Sequence, residues 1–131
     1  MGFEELQHTA DVALRCWGPD VSGLFTAAAE GLASLIGRPG AVKDPFSVGL
    51  SAPDVETLLV DWLTELIYHA ERTGGTFCRV EVVISPSHEL QARVWPAEVV
   101  ERRGVVKAAT YHGLMVEPRP EGCTATIVFD T

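Results

Sequence analysis

The chain has 131 residues, 47% of them hydrophobic, with 18 acids against 10 lysines and arginines for a net charge of −8. That is enough for one domain, residues 1–131, with a buried core, and it argues against two domains. The charge disfavours tight binding of nucleic acid by this chain alone, because proteins that grip phosphates normally present a basic patch. The apolar stretches fall far short of the roughly 20 residues that cross a bilayer, so no membrane association is expected.

In chain order, Phe3 to Leu6 reads as a short strand and His8-Thr9-Ala10-Asp11 as an irregular break after it. Val12, Leu14 and Cys16 then alternate with Ala13, Arg15 and Trp17 in a strand pattern that Gly18-Pro19-Asp20 ends. The period changes next. Apolar residues from Val21 to Ile36 fall three and four apart, with Asp20 as N-cap and Gly37 as terminator, which predicts an amphipathic helix over 20–36. Residues 37–45, rich in Gly and Pro, read as a loop, and Phe46, Val48 and Leu50 as a strand.

A second helix over 54–73 puts Leu58, Leu59, Trp62, Leu63, Leu66, Ile67 and Ala70 on one stripe, with Asp61 and Glu65 beside it and Gly74-Gly75 ending it. Only strands follow: Phe77–Ile84, Leu90–Trp95, Val105–His112, Leu114–Glu117 and Cys123–Asp130, separated by turn signals. Strands so closely spaced imply hairpins. The pattern predicts an α+β fold, a largely antiparallel β-sheet with two amphipathic helices packed on one face.

The N-terminus lacks the charged start and apolar run of a secretory signal, so a cytoplasmic protein is expected. Cys16, Cys78 and Cys123 have no CxxC spacing and read as small buried hydrophobes within strands rather than as a disulfide framework or zinc cluster. The nucleophile-elbow, Walker A and HExxH signatures are all missing. Judged by the residues alone, Asp11 is a turn-former and Asp130 an exposed carboxylate near a chain end. Lys107, Thr110, Tyr111 and His112 form the most polar cluster of the strand region. Alternation sets Lys107 and Tyr111 on one face, Thr110 and His112 on the other.

Four blocks in register change the weight of these residues: His8-Thr9-Ala10-Asp11, the Leu58-to-Leu66 run LLVDWLTEL, the Val106-to-Leu114 run VKAATYHGL, and an acid one place before the end. From about Phe3 to Thr131 the chain resembles archease, the small activator of the RtcB-type RNA ligase that joins tRNA exon halves. The resemblance implies that Asp11 and Asp130 bind one divalent cation. It also places Lys107 on the functional surface as a charge presented to ligase, nucleotide or RNA, with Tyr111 and His112 beside it. Calcium is the first choice of ion, with magnesium or manganese as alternatives, since hard cations take carboxylate oxygens. Calcium wants about 6–8 oxygens, so backbone carbonyls, water and the α-carboxylate of Thr131, if that residue is the native end, must complete the set. His8 offers nitrogen, which suits zinc or copper better, and reads as a supporting residue. Many archeases carry an acid just before this block where the present chain has Gln7, a change that lowers the negative charge of the site.

The function so implied is that of a non-enzymatic, metal-binding accessory protein that promotes ligase guanylylation and repeated turnover in tRNA splicing or RNA repair. GTP and RNA are then met through the ligase. A different class of reading is a small metal-dependent hydrolase, with Asp11 and Asp130 as ligands and His8 or His112 as general base. A third is a general chaperone for RNA-modifying enzymes.

Overall fold

The computed structural model describes residues 1–7 and 11–131. Its elements are β1 (Gly2–Gln7), β2 (Val12–Gly18), α1 (Val21–Ile36), β3 (Gly37–Val42), β4 (Phe46–Ser51), α2 (Val55–Thr73), β5 (Thr76–Ile84), β6 (Glu89–Arg102), β7 (Ala108–Ala109), β8 (Glu117–Arg119) and β9 (Gly122–Asp130). Among the described residues every strand pair is antiparallel, and the α+β class with two helices holds. The strands divide between two sheets. One runs β1-β2-β9-β7, with β8 also on β9, and in the other β3, β4 and β5 all pair with β6.

Both helices begin where the capping chemistry says they should. The Asp20 carboxylate accepts from the Gly23 N–H at 2.7 Å, and the Asp54 carboxylate from the Thr57 N–H at 2.8 Å. That backbone bond to Thr57 holds the Asp54 carboxyl below its ordinary value of 3.8. Helix α2 ends on Gly74, left-handed at φ 70°, whose N–H returns to the Ala70 carbonyl. Helix α1 is buried around most of its girth, because it packs on β1, β2 and β9 of the first sheet, on β5 of the second, and on α2. Small residues make this close approach feasible: Ala27, Ala28 and Ala29 are all buried.

The core lies between these layers. Trp62 of α2 is fully buried and donates from Nε1 to the Phe25 carbonyl of α1 at 3.1 Å, which fixes the helices to each other. Leu14, Cys16, Ile127 and Phe129 from the first sheet and Phe77, Leu90 and Val94 from the second close over the helices. Among the described residues no helix is long and apolar enough to cross a membrane.

Five local expectations need correction. Residues 37–42 form β3 rather than loop, laid along residues 97–102 of β6 with register shifts at Pro39 that accommodate the missing N–H. Strand β6 therefore continues past Trp95 to Arg102. The strand expected at Val105–His112 shrinks to Ala108–Ala109, and the one at Leu114–Glu117 becomes Glu117–Arg119. Cys78 is exposed, unlike Cys16 and Cys123. A register shift between Phe77 and Arg79 buries Thr76 and Phe77 in succession and turns the next side chain outward.

Candidate functional site at the end of β9

Strand β9 runs through the middle of its sheet and delivers Asp130 to the rim. Val12 of β2 and Ala109 of β7 both pair with Phe129, which is fully buried and anchors this end of the strand. Asp11 immediately precedes Val12. Because Val12 pairs with Phe129, Asp11 lies at the end of β2 that borders the Phe129–Asp130 end of β9. On the other flank Ala108 pairs with Asp130, and the Lys107 N–H donates to the Asp130 carbonyl at 2.8 Å. Residues far apart in sequence, Asp11, Lys107, Asp130 and Thr131, are thereby gathered at one strand end. Asp11 is half-buried, while Lys107, Asp130 and Thr131 are exposed. His8 lies outside the described residues.

Tyr111 and His112 do not continue the strand. The Thr110 hydroxyl donates to the Val128 carbonyl at 2.9 Å and accepts from the His112 N–H at 3.3 Å. The Leu114 N–H then closes a turn onto the Tyr111 carbonyl at 3.0 Å, with Gly113 at φ 61°, a left-handed position that favours glycine. The alternation that put Lys107 and Tyr111 on one face therefore fails beyond Thr110. Both Tyr111 and His112 are exposed on this turn. Glu56, in the first turn of α2, accepts from the Val116 N–H at 2.9 Å and ties the far end of the same segment to the helix. Sixty residues separate those partners, and nothing in the local pattern signals their meeting.

The donors gathered here are oxygens. Among the described residues no group of three or more His, Cys, Asp or Glu side chains converges in a metal-holding arrangement. The two aspartates thus suit a hard cation that keeps much of its shell as carbonyl oxygen and water, and they do not suit zinc, which asks for about four N or S ligands. Asp11 and Asp130, with Thr131 adjoining, are the residues that would hold such an ion. Lys107 supplies a cation on the neighbouring strand.

Comparison with known proteins identifies the family. The model of the archease protein family matches residues 3–131. Protein archease of Saccharolobus islandicus is 34% identical over 98% of this chain and 97% of its own length. Protein archease of Methanosarcina acetivorans is 32% identical over 98% and 94%. The solution structure of Methanobacterium thermoautotrophicum protein 1598 superposes with a TM-score of 0.79 at 24% identity, covering 99% of each chain. The crystal structure of a Thermotoga maritima archease, described as a possible chaperone, has a TM-score of 0.71 at 23% identity, covering 98% of this chain and 96% of that one. Those two structures share the fold. With the family pattern spanning nearly every residue and relatives above 30% identity along their whole length, this chain belongs to the archease family.

Proposed function

We propose that this chain is a metal-binding accessory protein that activates an RNA-splicing ligase of the RtcB type and does no covalent chemistry of its own. It promotes guanylylation and repeated turnover of the ligase in tRNA splicing or RNA repair, while GTP and RNA are bound by the ligase. The observation that supports this reading is that, in a family member, the backbone of Lys107 bonds to Asp130 at the end of β9, next to the end of β2 that Asp11 precedes. A divalent cation, calcium first, supplies local charge neutralisation and a fixed geometry when bound there. Asp11 and Asp130 hold the two strand ends together around it, and Lys107 presents an exposed cation beside them. Activation then follows from differential binding: a surface that fits the competent ligase conformation better than the stalled one shifts the population and is released unchanged. A chaperone for RNA-modifying enzymes is the broader form of the same reading.

Lys107 provides the test. Lys107→Ala keeps the fold and the metal affinity, since the side chain is exposed and its backbone N–H, not its ammonium, joins β9. Activation of the ligase at limiting protein should fall by about tenfold, with Lys107→Glu worse and the gap between the two variants closing in high salt. Full activation by Lys107→Ala would make this residue an ordinary solvated lysine.

A further inference from the structure

The arginines of this chain are already engaged. Arg15, Arg38, Arg79, Arg103 and Arg119 are ion-paired with glutamates. Arg72 and Arg93 lie over the rings of Tyr68 and Trp95, and Arg102 donates to the carbonyls of Gly74 at 2.9 Å and Gly104 at 3.4 Å. Lys107 is different. Among the described residues its ammonium has no hydrogen-bond or ion-pair partner.

Lys107 also borders a cleft of about 430 Å³ between the end of α2 and the segment leading into β7. Its apolar lining comes from Ile36 at the end of α1, Ile67 and Ala70 of α2, and Val106. Arg102 braces one wall by holding the Gly74 and Gly104 carbonyls, and Glu71 is the single acid on the rim. Val105, 61% exposed, is a further apolar residue of the lining and the one most open to solvent. A cleft of this size is in the range that accepts a ligand group rather than only water.

We infer that this cleft receives an acidic-apolar segment of the partner protein, an aliphatic side chain resting against Ile36, Ile67 and Ala70 and a neighbouring Glu or Asp carboxylate meeting the Lys107 ammonium. This rests on the reading of the chain as a protein activator, and it names how the partner holds on. The charge favours one carboxylate over a phosphate. Of the two cations that line the cleft, Arg102 is held by backbone carbonyls and Lys107 alone is uncommitted, while Glu71 and the carbonyl end of α2 both oppose a dianion. No aromatic side chain lines the cleft to stack a base, which removes the usual platform for single-stranded nucleic acid. An apolar lining open to solvent at Val105 fits a length of chain better than a small free acid.

The test uses the ¹⁵N-labelled protein titrated with the blocked peptide acetyl-Glu-Leu-Leu-amide and, as controls, acetyl-Gln-Leu-Leu-amide and acetyl-Glu-Ser-Ser-amide. The first should shift the amides of residues 70–75 and 104–107 with a Kd on the order of 1 mM, and the controls should not. Lys107→Gln should weaken that binding by about tenfold, and Glu71→Gln should tighten it severalfold. Absence of these shifts at several times that concentration, or equal shifts with the Gln peptide or in Lys107→Gln, would overturn the docking cleft. The two readings fail separately. A silent cleft beside a ligase that still needs Lys107 removes only the docking mode, whereas peptide binding by a protein that leaves the ligase unchanged removes only the ligase.

Discussion

Replacing Asp11 or Asp130 by alanine is expected to remove calorimetric binding of calcium and magnesium while leaving the far-ultraviolet circular dichroism unchanged. The reason is arithmetic of ligands. In the proposed site these two aspartates supply the side-chain carboxylates, so deleting either halves that charge and leaves carbonyls and solvent to make up the shell. Affinity should fall by more than about a hundredfold, beyond what losing a supporting contact costs. The fold should survive, because Asp130 is exposed and the strand end is anchored by fully buried Phe129 between Val12 and Ala109. A cation bound only by the native state also stabilises it, by about 2.7 kcal/mol at a hundred times Kd. Saturating calcium should therefore raise the melting temperature of the wild type and leave that of either variant where it was. Unchanged binding in both variants would remove the site.

Trp62→Ala should cost about 3–5 kcal/mol of stability in urea unfolding. The indole is fully buried between the helices, and its N–H satisfies the Phe25 carbonyl on α1. Alanine removes the ring volume, leaves a cavity and strips that carbonyl of its long-range donor. Small domains are stable by only about 5–15 kcal/mol, so this loss is a large share of the total and should lower the melting temperature by about 10 °C or more. Trp62→Phe refills much of the space without the donor and should fall between the two. A loss under about 1 kcal/mol for the alanine variant would mean that the helix pair is held elsewhere.

How far the sequence reveals this molecule depends on whether the signal is local. Asp20 and Asp54 cap the helices, and Gly74 ends α2, at the places that their chemistry and the apolar period mark. The stripe through Leu58, Trp62 and Leu66 is buried as its spacing requires. Strand β3 is illegible because Gly37, Pro39 and Gly40 carry turn chemistry, and only the presence of β6 alongside makes them a strand. Cys78 escapes burial through a bulge that no alternation can announce. Around Lys107 a run of strand formers is cut short after Ala109 by the Thr110 hydroxyl and the Gly113 turn, side-chain and turn bonds that compete with the ladder. Asp11 and Asp130 are plain surface acids in the sequence pattern, and only the pairing of Val12 with Phe129 brings the two ends of chain that carry them to one edge of the sheet. Their place in the family blocks is what made them candidates.

The most direct measurement takes a purified RtcB-type ligase stalled after a single turnover in GTP and divalent cation, and adds this protein in substoichiometric amount. The account predicts that ligation resumes for many turnovers with accumulation of guanylylated ligase, that Asp11→Ala, Asp130→Ala and Lys107→Glu fail to restore it, and that the added chain is recovered unmodified. A ligase that stays stalled with the folded, metal-loaded wild-type protein would contradict it.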